Sequence, residues 1–322
     1  MVITPRNVLI ATRDSDAIAA AIQAARPALA LRATLPPRVT ADDLHWAEAY
    51  VGFKRPPDAT TLGRVRWVHC TGAGIDAWLA PPGLDTGILL TRTPESFGPA
   101  IAEWAVARVF AVQQQLLDLA AAQRDHRWAP RDLPLVAGTR AVVVGIGDVG
   151  GAIATKLAAL GVLVHGVSRT GASAAPRVQP DGTPVFQAIY PITALGDLVG
   201  DADWIVLALP DTPRSRGVFS REVMARCRGA LLLNAGRGSV LDEGALPEAL
   251  ERGWLRGAAL DVFATEPLPA ASPLWDDSRV LISPHCSGPT TVEGAASGFL
   301  ECLADLEQGR VPRWAVDRER GY

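Results

Sequence analysis

Lysine is almost missing from this 322-residue chain. Lys54 and Lys156 are the only lysines among 31 basic residues, and the rest are arginines. With such a bias, no single arginine is notable for its presence alone. Excess positive charge is also lacking: the formal net charge is −3 and no basic block occurs. That argues against nucleic acid or an anionic membrane as the main partner. Cysteine is scarce, and Cys70, Cys227, Cys286 and Cys302 show no C-x-x-C spacing. Few scattered cysteines in a long chain point to a reduced, cytoplasmic setting. No run approaches the roughly 18 apolar residues of a membrane-spanning helix. The start, MVITPRNVLIAT, has neither the apolar core nor the cleavage site of a signal peptide.

What is present is an ordinary globular balance, 48% apolar and 20% charged, over a length that suits two domains. Short apolar runs at Asn7–Thr12, Tyr50–Phe53 and Val65–Cys70 predict strands, and Ser15–Ala25 predicts a helix. Ala100–Gln123 has the pattern of one long helix, apolar around most of its surface and so buried between parts or subunits. After a Pro- and Arg-rich break come six more strand candidates: Arg140–Gly145, Val162–Val167, Trp204–Leu209, Ala230–Asn234, Ala258–Val262 and Val280–Ile282. Helical segments separate most of them, at Val149–Leu160, Ile192–Leu198, Ser220–Cys227 and Asp242–Arg252, and Thr290–Gln308 forms a last helix. Alternation of this kind predicts an α/β protein with a doubly wound parallel sheet.

The stretch VVVGIGDVGG carries Gly145, Gly147 and Gly150 in a G-x-G-x-x-G spacing, after an apolar strand and at the start of a helix. That context suits a dinucleotide. Gly145 permits the tight turn, Gly147 lets backbone approach a pyrophosphate, and Gly150 lets helix and strand pack closely. Asp148 and Val149 complete the turn. An acid at 148 would repel phosphate if it faced inward, so it is expected to point outward or cap the helix. Where such units carry an acid for the adenine ribose, this chain has Ser168, Arg169 and Thr170. A cation with two hydroxyls suits the 2′-phosphate of NADP, so NADPH is the expected cofactor, with NAD the other possibility.

Three stretches follow at predicted strand ends: LLLNAGRGSVLDEGAL, AALDVFATEPLP and LISPHCSGPT. Their G-R-G, D-V-F-x-x-E-P-L and S-P-H motifs, in this order, resemble the D-isomer-specific 2-hydroxyacid dehydrogenase family along essentially the whole chain. LPDT at 209–212 and the tail VDRERGY resemble its glyoxylate/hydroxypyruvate reductase branch. The resemblance implies two Rossmann-like domains. A dinucleotide-binding domain over 98–285 is inserted in a flavodoxin-like substrate domain formed by 1–97 and 286–322. It implies catalytic Arg237, Glu266 and His285, and a homodimer.

The chemistry fits those residue types. Arg237 is a permanently charged fork for the carboxylate and carbonyl oxygens of a 2-keto acid. His285 can protonate the alkoxide that hydride attack creates, and Glu266 can hold its far ring nitrogen. The resemblance places Leu209, Pro210, Thr212, Ala235 and Asp261 around the cofactor. Asp261 could equally cap a strand end, and Thr212 could equally form a turn. Gly72, Ala73 and Gly74 could turn successive amides into an anion nest, and the resemblance implies that Ala73 and Gly74 hold the substrate carboxylate. Phe53 either walls the substrate pocket or lies in the core. Gly98 stands where many relatives carry a threonine. Two His-Cys dipeptides, at 69–70 and 285–286, lack a further ligand at usual spacing, so no metal is expected.

The resulting expectation is an NADPH-dependent reductase of a small 2-keto acid. An NAD-dependent dehydrogenase of another D-2-hydroxy acid, and a dinucleotide-sensing, corepressor-like binding protein, remain open from sequence.

Overall fold

The computed structural model describes residues 4–57, 59, 61–80, 83–93, 97–172 and 177–321; Tyr322 of the tail lies outside them. The chain divides into two compact units, Met1–Phe97 with Thr290–Tyr322, and Gly98–Pro289.

The first unit holds β1 (Asn7–Ala11), α1 (Ser15–Ala25), β2 (Ala30–Thr34), α2 (Ala41–Trp46), β3 (Ala49–Val51), β4 (Trp67–Cys70), α3 (Asp76–Leu79) and β5 (Leu89–Arg92). Its parallel sheet runs β2-β1-β3-β4-β5, the flavodoxin-like order. Both faces are covered, which explains the unbroken apolar run of β1. Val8 and Ile10 pack with Ile18 and Ile22 of α1 on one face. Leu9 and Ala11 pack with Leu44 and Trp78 on the other.

The second unit contains α4 (Gly98–Gln113), α5 (Leu116–Arg124), β6 (Arg140–Val144), α6 (Asp148–Ala159), β7 (Leu163–Ser168), β8 (Ala188–Pro191), α7 (Leu195–Leu198), β9 (Trp204–Leu207), α8 (Arg221–Met224), β10 (Ala230–Asn234), α9 (Leu246–Glu251), β11 (Leu255–Leu260) and β12 (Val280–Ile282). Its seven parallel strands run β12-β11-β10-β9-β6-β7-β8. The order reverses between β6 and β9, the kind of point where doubly wound sheets take their ligands. The final helix, α10 (Val292–Glu307), belongs to the first unit and buries Ala295, Phe299, Cys302 and Leu303 against its sheet. In its last turn, Asp305 accepts hydrogen bonds from the Arg310 and Arg313 side chains and the Arg313 amide, all beyond the helix. The pinned tail then pairs with β5. Arg92 N–H donates to Trp314 O, Val316 N–H donates to Leu90 O, and Thr91 bridges Ala315.

Four expectations need correction. The pattern over 100–123 is two helices, because Gln115 adopts a left-handed φ of 47°. Around that break the side-chain amides of Gln113, Gln114 and Gln115 donate to the carbonyls of Leu135, Pro134 and Asp132. Nor is this stretch buried all round within the chain, since Leu116 and Leu117 are about half exposed. Strands β2, β5 and β8 were absent from the sequence reading. The second division between units falls at 289/290 rather than 285/286, because the amides of Cys286 and Ser287 are tied to Asp261 at the end of β11.

Candidate active site

The glycine turn follows β6 as the spacing requires. Gly145 has φ +93°, and a Cβ there would lie 2.6 Å from Ala208 O. At Gly150 a Cβ would fall 1.7 Å from Gly145 O, so neither position admits a side chain. Gly147 is different: nothing lies within 4 Å of where its Cβ would be. It is the N-cap of α6, and no side chain caps that first turn, whereas Thr40, Ser220 and Thr291 cap α2, α8 and α10. Uncapped amides beside open space suit a pyrophosphate. Asp148 is exposed and makes no cap bond, so it points outward, with Val149 behind it half-buried. Gly98 begins α4, where a Cβ would meet Ala152 Cβ at 3.1 Å.

At the end of β7, Arg169 and Thr170 are exposed. Ser168 is occupied otherwise than the sequence predicts. Its hydroxyl donates to Ala172 O at 2.8 Å and accepts from the amides of Gly171 and Ala172, so it closes its own loop. Thr212 likewise turns inward. It is buried, its hydroxyl pairs with Ser215 Oγ at 2.9 Å, and Ser215 Oγ donates to Pro210 O. These bonds make the 210–215 segment a tight turn after β9, the local role that the sequence also allowed for Thr212.

The G-R-G loop has a packing logic hidden in the sequence. Ala235, buried, continues β10 by donating to Leu207 O. A Cβ at Gly236 would lie 2.7 Å from Leu209 O, and one at Gly238 would lie 1.9 Å from the Phe263 carbonyl carbon. The two glycines therefore let backbones approach on either side of Arg237. Asn234 braces the loop from below: its side chain donates to Arg237 O and accepts from Gly236 N–H. This buried amide ends an otherwise apolar strand, ALLLN, which is the signal that could have identified it. Arg237 is half-buried, with Nη1 on Gly236 O at 2.8 Å. Nearby, Asp211 accepts from Arg216 and Ser239. Those bonds, Arg216 first, together with the charges of Arg216 and Arg237, hold its carboxyl below the usual carboxylate range.

His285 Nδ1 lies 2.7 Å from Glu266 Oε2. The other Glu266 oxygen accepts Phe263 N–H at 3.0 Å, and Glu243 accepts Ala264 N–H, so the acid is fixed before it meets the ring. A carboxylate can only accept, so Nδ1 carries the proton of this hydrogen bond and Nε2 is the nitrogen that Glu266 leaves open. Nε2 has no hydrogen-bond partner among the described residues. The backbone of His285 has φ +51°, a conformation disfavoured outside glycine and costing of order 1–3 kcal/mol. It persists because the loop is held on both sides. The His285 amide donates to Asp261 O and Ser283 O. The Asp261 carboxylate, 1% exposed, takes Ser283 Oγ, Ser287 Oγ and the amides of Cys286 and Ser287. Trp104 Nε1 on Ser283 Oγ extends this network to α4. Asp261 thus holds the histidine loop, and both its oxygens are taken, the strand-end role that the sequence also allowed for it. His285–Cys286 lies beyond β12 in this loop and not on a strand.

In the first unit, Phe53 is exposed and its ring lies where a Gly72 Cβ would be, 2.6 Å away. That contact is why residue 72 is glycine. Neither Gly72 nor Gly74 has positive φ, so the loop lacks the left-handed alternation of a nest. The amides of Ala73 and Gly74 nevertheless have no acceptor among the described residues, and Arg92 braces Ala73 O from behind. His69 is fully buried between Thr91 and Thr93. No group of three or more His, Cys, Asp or Glu that could hold a metal occurs among the described residues, and no helix there is long and apolar enough to cross a membrane.

The glycine turn lies at the switch point of the sheet, and Arg237 and the Glu266-held His285 stand on strand-end loops of the same sheet, an arrangement that suits a bound dinucleotide. Residues 106–287 match the family model for the D-isomer specific 2-hydroxyacid dehydrogenase NAD binding domain. Glyoxylate/hydroxypyruvate reductase A of Serratia proteamaculans is 34% identical over 277 residues, covering 83% of this chain and 86% of that protein. Among solved structures, a D-isomer specific 2-hydroxyacid dehydrogenase from Xanthobacter autotrophicus Py2, in complex with NADPH and MES, superposes with a TM-score of 0.86. It is 30% identical, over 99% of this chain and 100% of that one. The NADPH-dependent glyoxylate/hydroxypyruvate reductase of Sinorhizobium meliloti, with NADP and sulfate, gives 0.85 at 29% identity, over 98% and 99%. The chain belongs to the D-isomer-specific 2-hydroxyacid dehydrogenase family and, within it, to the glyoxylate/hydroxypyruvate reductase branch, and it is an oxidoreductase that uses NAD(P).

Proposed function

We propose that this protein reduces a small 2-keto acid of the glyoxylate or hydroxypyruvate type with NADPH. The observation that carries the reading is the 2.7 Å pair of His285 Nδ1 and Glu266 in the sheet that matches an NAD binding domain. The names of the Serratia and Sinorhizobium relatives support the substrate class. Arg169 after β7, with no acid beside it, supports the 2′-phosphorylated cofactor.

The reduced nicotinamide supplies the hydride. Arg237 grips the carboxylate and carbonyl oxygens of the keto acid, which fixes the carbonyl face and stabilises charge as it grows on oxygen. His285 passes the Nε2 proton to that oxygen, and Glu266 steadies the ring as it changes charge. Within the first unit, the open amides of Ala73 and Gly74 suit a carboxylate, with the Phe53 ring against Gly72 beside them. Turnover of a panel of 2-keto acids with each cofactor tests this. Glyoxylate or hydroxypyruvate with NADPH should give the highest kcat/KM, and an equal or higher value with NADH would refute the cofactor assignment.

The exposed apolar side chains Leu116, Leu117, Trp128 and Leu135 support covering by a second copy of this chain, giving a homodimer. Light scattering at micromolar concentration should give twice the chain mass, and a monomer would refute it.

A further inference from the structure

We infer that Arg177 determines cofactor specificity, acting with Arg169 as a second cation for the phosphate on the adenosine ribose. This inference rests on the NADPH reading above. It starts from a glycine that the dinucleotide turn does not need. Gly151 follows the third glycine of the G-x-G-x-x-G spacing and lies inside α6, where glycine is unfavourable relative to alanine. Arg177 lies in the space that a side chain there would take. A Cβ at residue 151 would fall 2.2 Å from Arg177 Nε, 2.3 Å from Cζ and 2.6 Å from Nη2. The guanidinium therefore lies against the bare backbone of the first helical turn.

Its direction follows from its hydrogen bond. Arg177 Nη2 donates to Gly147 O at 3.3 Å. The same carbonyl accepts Gly151 N–H at 2.8 Å, so it points along the helix toward its C-terminal end, away from the uncapped amides. The guanidinium sits beside the turn and leaves the amides in front of it to the pyrophosphate. The backbone of Arg177 is fixed as well. Its carbonyl accepts Val185 N–H at 3.0 Å, Val178 pairs with Pro184, and Val185 is buried. The chain thus leaves β7 at Ser168, passes Arg169, and brings a second cation back to the flank of the glycine turn. The remaining guanidinium N–H groups suit a phosphate monoester, which accepts charge-assisted bonds from a planar fork.

The test is calorimetric binding to the full-length protein, with NADP+ and NAD+ as one pair of probes and 2′,5′-ADP and 5′-AMP as a second. Arg177→Ala should weaken NADP+ and 2′,5′-ADP about tenfold or more, the loss of one charge-assisted contact, and change NAD+ and 5′-AMP less than about twofold. Equal weakening within each pair would make Arg177 a pyrophosphate or structural residue and overturn the inference. No weakening at all, with the wild-type preference intact, would overturn it too while sparing the NADPH reading. A wild-type protein that binds NAD+ as tightly as NADP+ would overturn both.

Discussion

His69 and His285 both precede a cysteine, and nothing in those dipeptides separates them. Their surroundings do. His69 is fully buried in β4, with Thr91 Oγ1 2.8 Å from Nδ1 and Thr93 Oγ1 2.9 Å from Nε2. Both nitrogens are satisfied, and the rings of Trp67 and Phe299 lie edge-on to it. Burial pushes its pKa down from 6.5 to about 3, so it stays neutral at physiological pH. His285 is exposed, sits on a left-handed backbone, and commits one nitrogen to Glu266. One histidine has both nitrogens closed off, and the other keeps one open, as the proposed proton transfer requires. Saturation of the ring, more than its neighbours in sequence, distinguishes structural from chemical use.

That contrast can be broken most directly at His285. His285→Gln should lower kcat by about 10²- to 10⁴-fold, the range for a positioned general acid, with little change in melting temperature. Comparable turnover by the variant would remove His285 from the proton-transfer role. Glu266→Gln keeps the shape but loses the charge. Loss of a charge-assisted hydrogen bond of about 1.5–3 kcal/mol predicts roughly ten- to hundredfold slower kcat, with KM changed much less. An effect confined to KM would show that the acid serves substrate binding instead.

His69→Leu should do the opposite, leaving kcat/KM within about twofold while costing about 2–3 kcal/mol of stability at pH 7, because two buried threonine hydroxyls lose a partner. The sign of its pH dependence sharpens the comparison. The unfolded chain protonates His69 below about pH 6.5 but the folded protein resists until about pH 3. Wild-type stability therefore falls as pH drops through that window, by up to about 1.4 kcal/mol per unit, and the variant lacks this component. Denaturant titrations at pH 7 and 4.5 should show the gap between the two proteins narrowing. A constant gap would mean that the buried ring does not resist protonation.

The strands missed in the sequence share a position. β2, β5 and β8 are all sheet edges. An edge strand is covered less completely, so ALRAT, LLTR and AIYP need no long apolar run, and their partly exposed patterns confirm the weaker demand. Central strands such as β6 and β10, buried on both faces, announce themselves. The site divides in a similar way. Gly145, Gly150, Arg237, Glu266 and His285 stand in motifs whose spacing reflects local backbone geometry. Hydrogen bonds made across loops leave no such trace. The self-closing Ser168, the inward Thr212, the bracing Asn234 and the loop-holding Asp261 depend on which strand ends lie side by side. The break at Gln115 is of this kind too, since the glutamine run is a good helix former by itself and the carbonyls it binds lie about 20 residues further on.

The tail beyond α10 gives β5 a neighbour. With Trp314–Val316 alongside, the outer edge of the five-stranded sheet no longer offers its full row of free amides and carbonyls to another chain. Asp305, held below the usual carboxylate range by its bonds to Arg313 and Arg310, fastens this cover through charge rather than through apolar packing. An edge so covered is a poorer template for pairing with a strand of another chain.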